Sequence, residues 1–179
     1  LLVLDEAYAS FSTKRFATET LINGYPVLLM RSMTKDFNLN ALRLGYIAAS
    51  EDIARVIDRV QPPWSVNTPA EEAGLMALKE LDYYRESWRK TAELTQTLGG
   101  AVESIGFKRY PVGCNFQLFE GPRELELAAK LWDRGMKIRD CTSFGLSGFF
   151  RIGTRSRSDN ERLTKAITEI YSMSSGSPR

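Results

Sequence analysis

The chain has 179 residues, enough for one large or two small domains, and its 43% hydrophobic and 26% charged residues are typical of globular proteins. A net charge of +2 does not favour nucleic acid or an anionic membrane surface as a partner, and no apolar run approaches the roughly 18 residues that span a bilayer. Histidine is absent, which excludes Ser-His-Asp triads, histidine-based zinc sites and a histidine general base.

The chain opens on an apolar run. Residues 1–4 predict a strand buried on both faces, as in the middle of a parallel sheet. A native chain rarely begins inside its core, so this start predicts a fragment that lacks a substantial N-terminal portion. Residues 27–30 and 44–49 predict two further strands, and polar residues directly follow the first two of the three.

Helices are predicted after the third strand. Ser50 is expected to cap a helix over residues 51–60, which the following pair of prolines ends. Thr68 is expected to cap the next helix, because Pro69 suits a first helical turn and a glutamate three residues after the threonine completes a capping box. Two long helical stretches follow, and Gly106 ends the second.

The pattern changes after that glycine. Short strands then alternate with helices, and the last helix has a continuous apolar face. We therefore place a domain boundary at the proline-containing linker. The sequence predicts an α/β fold in which residues 1–62 belong to a mainly parallel sheet domain and residues 63–179 form a smaller α/β domain.

The cysteines offer no sign of a metal site. Cys114 and Cys141 allow at most one disulfide, and their spacing is not that of metal ligands. Two free thiols in a reducing cytosol are the simplest interpretation. No metal is therefore predicted.

Three groups of polar residues follow predicted strands. The run Asp5-Glu6-Ala7-Tyr8 follows the first strand, residues 31–35 follow the second with Arg43 shortly beyond, and Arg139 and Arg151 lie near the end. Each group has an ordinary explanation, since acids at strand ends often cap the next turn and single basic residues are usually solvated. Their conjunction favours a functional site.

These runs resemble fold-type-I pyridoxal-phosphate (PLP) enzymes, in the branch of histidinol-phosphate aminotransferase and threonine-phosphate decarboxylase. The runs that carry the resemblance are Val3-Leu4-Asp5-Glu6-Ala7-Tyr8, Ser32-Met33-Thr34-Lys35 and Leu42-Arg43-Leu44-Gly45-Tyr46. The resemblance implies the C-terminal part of the PLP-dependent transferase fold, with 1–62 from the large PLP-binding domain and 63–179 as the small domain. It also implies a cytoplasmic homodimer and covers about half of the family's usual length.

The resemblance implies PLP as the cofactor and a role for each matching residue. Lys35 would form the Schiff base with the PLP aldehyde and then move the substrate proton. Asp5 would pair with the pyridine nitrogen, and Tyr8 would donate to the ring 3-oxygen. The cofactor phosphate would be held by three residues around the lysine, Ser32, Thr34 and Arg43.

The implied substrate is a small amino acid or amino-acid phosphate. Arg151 would clamp its α-carboxylate, and Arg139 would meet a second anionic group such as a phosphate. Transamination is the commoner activity of this branch and is the favoured prediction. Residues 31–35, 63–67 and 138–141 instead lean towards the decarboxylase, which stays the first alternative.

Two departures from the family pattern bear on these predictions. The family often has an acid immediately before the position of Phe11, where this sequence has Ser10. The family's phosphate-binding helix start, its ring-stacking aromatic residue and its asparagine at the 3-oxygen would all lie upstream of Leu1. A catalytically inactive C-terminal module is therefore the second alternative for the chain by itself.

Overall fold

The computed structural model describes residues 1–12, 14 and 16–175, and it divides into two compact units, residues 1–88 and residues 89–179. The strands and helices in chain order are β1 (Leu2–Asp5), β2 (Val27–Ser32), α1 (Met33–Asp36), β3 (Gly45–Ala49), α2 (Glu51–Val60), α3 (Thr68–Lys79), α4 (Leu81–Ser104), β4 (Lys108–Tyr110), β5 (Phe116–Glu120), α5 (Leu127–Trp132), β6 (Arg139–Asp140), β7 (Phe149–Gly153) and α6 (Arg157–Ser175). This order confirms the predicted α/β fold. The domain boundary predicted after residue 62 stays a prediction.

A mixed sheet forms the centre of the first unit, with the strand order β1-β2-β3. Strand β1 runs parallel to β2 and pairs Asp5 with Met30, whereas β3 runs antiparallel to β2 and pairs Gly45 with Ser32. The ends of β1 and β2 and the beginning of β3 therefore meet at one edge of the sheet. Functional groups that follow β1 and β2 are delivered to this edge.

The first strand is not buried as predicted. Leu2 and Val3 are each 51% exposed, whereas Val27 and Leu29 on β2 are 2% and 0% exposed. The reason is the strand order, because β1 has a neighbouring strand only on its β2 side. Burial of an apolar strand depends on what covers it, so an apolar run predicts the strand but not its place in the sheet.

In the first unit the helix bounds agree with the prediction, but the capping residues differ from it. Helix α2 has the predicted bounds, but the Ser50 side chain makes no capping hydrogen bond. Helix α3 is capped by Asn67 rather than Thr68, since Asn67 Oδ1 accepts a hydrogen bond of 2.9 Å from the backbone N–H of Ala70. Pro69 lies in the first turn, as predicted.

Helix α3 packs closely against the segment that follows β2. The local core consists of Met33, Phe37 and Ala77, with leucine, tyrosine and tryptophan side chains packed around them. A Cβ atom on Gly74 would lie 2.5 Å from Leu44 Cδ2, so a larger residue there would require the Leu44 side chain to move. The segment between β2 and β3 is thereby seated on a helix as well as on the sheet.

The second unit contains an antiparallel sheet with the strand order β4-β5-β7-β6. Its hydrophobic core includes Phe107, Phe119, Leu131 and Ile167, each at most 2% exposed. These residues come from the sheet, from α5 and from α6 or directly precede β4, so the helices cover one face of the sheet. On the opposite face of β7, Phe149 is half-buried and Arg151 is exposed.

Candidate functional site

The loops that follow β1 and β2 lie side by side at one edge of the first sheet. Asp5 is the last residue of β1, and Lys35 lies in α1, the single helical turn that follows β2. The backbone N–H of Glu6 donates to the Met30 carbonyl at 2.9 Å. The structure therefore brings the predicted acid and the predicted lysine to the same edge of the sheet.

Lys35 is partly buried and lies at the end of a short series of hydroxyl groups. Its Nζ donates to Thr34 Oγ1 at 3.1 Å, and the Ser32 and Thr34 hydroxyl oxygens are 2.7 Å apart. Thr34 is buried, which fixes the position of this hydroxyl. Among the described residues no carboxylate pairs with the amine, so Nζ is available for chemistry with a ligand.

Arg43 has a backbone conformation that its residue type disfavours. Its φ is +58°, in the left-handed region, which costs a residue other than glycine roughly 1–2 kcal/mol. The backbone N–H of Thr34 donates to the Leu44 carbonyl at 3.3 Å, and Ser32 pairs with Gly45. These contacts place the backbone of Arg43 next to the segment that carries the two hydroxyl groups, while Arg43 Nη1 donates to the Asn40 carbonyl at 3.1 Å.

Asp5 has the capping role, and its functional role stays a prediction. Its Oδ1 accepts a hydrogen bond of 3.0 Å from the backbone N–H of Ala7, which is the ordinary capping role of an acid at a strand end. Its Oδ2 accepts no hydrogen bond from the described residues, and the residue is exposed. Tyr8 follows in the same loop, immediately before the 3-10 turn Ala9–Phe11. The same loop therefore carries both Asp5 and Tyr8.

An ion pair that the sequence did not predict joins the two strand ends. Arg31 Nη2 lies 2.6 Å from Glu6 Oε2, and the two side chains are only 11% and 15% exposed. Thr18 donates to the other Glu6 oxygen at 2.7 Å, and Arg31 also pairs with Glu19 at 2.8 Å. Burial lowers the pKa of Arg31, but its bonds to Glu19 and Glu6 outweigh burial and raise that pKa.

Both residues of this pair lie in the runs that the sequence analysis singled out, but neither was assigned a role. The polar type and the position of Glu6 and Arg31 were visible in the sequence. Their pairing was not, because they are separated by 25 residues and belong to neighbouring strands. The pair holds together the loops that carry Asp5 and Lys35.

The two predicted substrate arginines are direct neighbours in the second sheet. Arg139 on β6 pairs with Arg151 on β7, and both are exposed. The guanidinium of Arg151 lies 4.9 Å from the ring centroid of Phe116, and that of Arg139 lies 5.0 Å from the ring of Phe144. Like charges directly opposite each other destabilise a sheet, and neither has an ion-pair partner among the described residues. The pair suits a ligand with negative charge.

Cys114 and Cys141 are free thiols, and Cys141 is buried. Burial raises the pKa of both thiols, although the charge of Arg151 acts in the opposite direction. The described residues contain no cluster of three or more potential metal ligands. None of their helices combines the length and the apolar character needed to cross a membrane.

Comparison with known proteins shows which family this chain resembles. The family model described as Aminotransferase class I and II matches residues 1–170. Histidinol-phosphate aminotransferase 2 of Archaeoglobus fulgidus is 34% identical over 171 residues, which cover 94% of this chain and 49% of that protein. Histidinol-phosphate aminotransferase of Nitratidesulfovibrio vulgaris is 35% identical over 174 residues, with 95% and 47% covered. The chain spans about half the length of the curated relatives it matches.

Solved structures of aminotransferases and of a decarboxylase are also similar to this chain. Histidinol-phosphate aminotransferase from Clostridium acetobutylicum has a TM-score of 0.87 at 26% identity, with 96% of this chain and 54% of that chain covered. L-threonine-O-3-phosphate decarboxylase from Porphyromonas gingivalis has 0.83 at 28%, covering 93% and 54%. Histidinol-phosphate aminotransferase from Sinorhizobium meliloti, in complex with pyridoxal-5'-phosphate, has 0.84 at 25%, covering 97% and 49%. The predicted fold is confirmed.

Proposed function

Because this chain belongs to the class I and II aminotransferase family, we propose that it is part of a PLP-dependent aminotransferase of the histidinol-phosphate type. The whole protein transfers an amino group between an amino acid or amino-acid phosphate and a 2-oxo acid. The observation that carries this proposal is the group formed by Lys35, its two neighbouring hydroxyl residues and Arg43. The lysine amine and two hydroxyl groups lie together there, next to the backbone of Arg43, and the amine has no acidic partner among the described residues.

The first unit fits PLP through groups that the structure leaves available. When bound, PLP supplies an electron sink for negative charge that develops on the substrate. Lys35 Nζ would hold the cofactor covalently and would carry the proton to and from the substrate Cα. Asp5 Oδ2, which accepts no hydrogen bond from the described residues, would accept one from the ring nitrogen and keep that nitrogen protonated, and the Tyr8 hydroxyl would donate to the 3-oxygen.

The cofactor phosphate is assigned to the residues around the lysine. Ser32 and Thr34 offer hydroxyl groups that are already 2.7 Å apart, and Arg43 offers a two-pronged guanidinium. The left-handed backbone of Arg43 supports this role, because strain of this kind is retained where the side chain is needed at one place.

The substrate is assigned to the paired arginines of the second unit. Arg151 clamps the α-carboxylate, since its guanidinium can make two parallel hydrogen bonds to a carboxylate. Arg139 takes a second anionic group, for which a phosphate is the best candidate. The support is the cross-strand pairing of two cations, each packed on an aromatic ring and neither paired with an acid among the described residues.

Decarboxylation of an amino-acid phosphate is the second candidate. It is favoured by the likeness to the threonine-phosphate decarboxylase of Porphyromonas gingivalis, at a TM-score of 0.83 and 28% identity. The same residues would serve both reactions. The two reactions would differ in which bond of the substrate Cα is broken, the bond to hydrogen or the bond to the carboxylate.

The reactions are separated by supplying the whole encoded protein with PLP and a phosphorylated amino acid or amino alcohol. Transamination predicts turnover only when a 2-oxo acid such as 2-oxoglutarate is present, with glutamate as a product. Release of carbon dioxide without a 2-oxo acid would contradict transamination and support the second candidate. The 179-residue chain alone is expected to be inactive, since it spans about half of its relatives.

We also propose which partners the enzyme has and where it is located. Its partners are small molecules rather than nucleic acid, in keeping with a net charge of +2. Its location is the cytoplasm, whose reducing conditions suit two free thiols. The homodimer implied by the family resemblance stays a prediction.

A further inference from the structure

A buried carboxylate lies next to the proposed catalytic lysine. Asp36 is the residue after Lys35, is the last residue of α1 and is 7% exposed. A carboxylate is costly to bury unless hydrogen bonds compensate for its lost hydration. Such a group therefore needs a specific partner, and the identity of that partner shows what the carboxylate holds in place.

Ser10 is the partner from the loop that follows β1. Its Oγ donates to Asp36 Oδ2 at 2.7 Å across a separation of 26 residues. Ser10 lies in the middle of the 3-10 turn Ala9–Phe11, which begins directly after Tyr8. This one bond therefore connects the turn that carries Lys35 to the loop that carries Asp5 and Tyr8.

A second hydrogen bond reaches Asp36 from another direction. The indole N–H of Trp88 donates to the Asp36 backbone carbonyl at 2.7 Å. The Phe37 ring packs edge-on against Tyr84 and Trp88, with centroids 4.8 Å and 5.7 Å away. Asp36 is thus bonded through its side chain to one segment and through its backbone to another, and neither bond involves the amine of Lys35.

Helix α1 needs such external support. It is only four residues long, from Met33 to Asp36, and a helix of one turn does not hold its own shape in water. The lysine amine is at the end of a long flexible side chain, so its location depends on where this turn is held. A misplacement of about 1 Å at a reacting group can cost up to about 100-fold in rate.

We propose that Asp36 is a positioning residue for Lys35 and that Ser10 is the residue through which it acts. The Ser10–Asp36 bond fixes the separation between the turn that carries the lysine amine and the loop that carries Asp5 and Tyr8. This inference rests on the proposed function, since it assigns the lysine a reaction for which its position matters.

The test uses the whole encoded protein and the variants Ser10→Ala, Ser10→Thr, Asp36→Ala and the double alanine variant. The rate at which PLP becomes reducible by borohydride onto Lys35 is measured together with kcat and KM. Ser10→Ala and Asp36→Ala are each expected to lower the attachment rate and kcat about tenfold, with KM changed less than about twofold. The double variant is expected to lose no more than either single variant, because both remove the same contact.

Two variants serve as controls. Ser10→Thr keeps the hydroxyl and is expected to retain the attachment rate of the unaltered protein. Asp58→Asn removes a carboxylate from the exposed surface of α2 and is expected to change neither rate. If Asp36→Ala does not fold, the comparison of Ser10→Ala with Ser10→Thr decides the question, because Ser10 loses only one oxygen atom.

A purely structural role gives a different result. In that case the variants unfold at lower temperature, yet well below that temperature they attach PLP and turn over at the unaltered rates. That outcome overturns the positioning role, as does equal loss in Ser10→Thr and Ser10→Ala. Absence of any attachment to Lys35 in the unaltered protein contradicts the proposed function itself, so the two failures are distinguishable.

Discussion

At the scale of single residues, Arg43 has a backbone conformation that is unfavourable for arginine, although its proposed function requires the arginine side chain. Its φ of +58° is one that glycine adopts freely. We expect Arg43→Gly to raise the free energy of unfolding of the cofactor-free protein by about 0.5–1 kcal/mol, the strain relieved less the flexibility gained by the unfolded chain. The same variant is expected to weaken PLP binding at least about tenfold, because a charge-assisted contact to phosphate is lost.

Arg43→Ala is the matched control, since alanine lacks the guanidinium but keeps the left-handed strain. It is expected to weaken PLP binding as much as glycine does, without any gain in stability. Denaturant unfolding of the cofactor-free protein and titration with PLP measure the two effects. Unchanged PLP affinity in both variants would show that Arg43 does not hold the phosphate.

The two paired arginines are expected to affect different sets of substrates. We expect Arg151→Gln to lower kcat/KM about 10- to 100-fold for every amino-acid substrate, since each carries the α-carboxylate. Arg139→Gln is expected to have an effect of that size only on substrates with a second anionic group. Steady-state kinetics with a phosphorylated substrate and its unphosphorylated counterpart measure the difference. Arg59→Gln, on the exposed surface of α2, is the control.

An equal effect of Arg139→Gln on both substrates would contradict the assignment of Arg139 to the second anion. The pairing of the two arginines would then reflect a shared contact with one carboxylate.

At the scale of secondary-structure elements, the part-buried Glu6–Arg31 pair connects the ends of β1 and β2. Glu6→Gln removes this charge-assisted contact while Arg31 keeps Glu19, so we expect the variant to destabilise the fold by about 1.5–3 kcal/mol. Glu51→Gln is the matched control, because Glu51 pairs with Arg55 on the surface of α2, where the side chains are 87% and 55% exposed. It should change stability by about 0.5 kcal/mol or less.

Denaturant unfolding at neutral pH measures both variants. Equal and small effects would show that the ion pair between the strand ends contributes no more than a surface pair. In that case the two loops are held together by the backbone pairing of the strands and by the Ser10–Asp36 hydrogen bond.

The elements that the sequence predicted best are those set by local signals. Helix α2 lies between a polar residue and a pair of prolines, and its bounds were predicted to the residue. The cap of α3 was misplaced by one position, because Asn67 and Thr68 are adjacent and both residue types cap helices. The burial of β1 was wrong because coverage of a strand depends on its neighbours in the sheet, which a local apolar run does not specify.

At the scale of the whole molecule, the fold was predictable because its motifs occur in order along nearly the whole chain. The contacts between the motifs were not predictable. Ser10 with Asp36 and Glu6 with Arg31 are 26 and 25 residues apart, and no periodicity or spacing links their partners. The sequence therefore predicted candidate ligand-binding residues, and the structure was needed to show which residues contact the segments that carry them.

The central claim is that Lys35 is the residue that holds PLP. Its most direct test is to incubate the whole encoded protein with PLP, reduce it with borohydride, digest it and locate the modified lysine by peptide mass spectrometry. We predict a single phosphopyridoxyl group on Lys35, absent from the Lys35→Arg variant. Modification spread over exposed lysines such as Lys79 and Lys165, and unchanged in Lys35→Arg, would contradict the account.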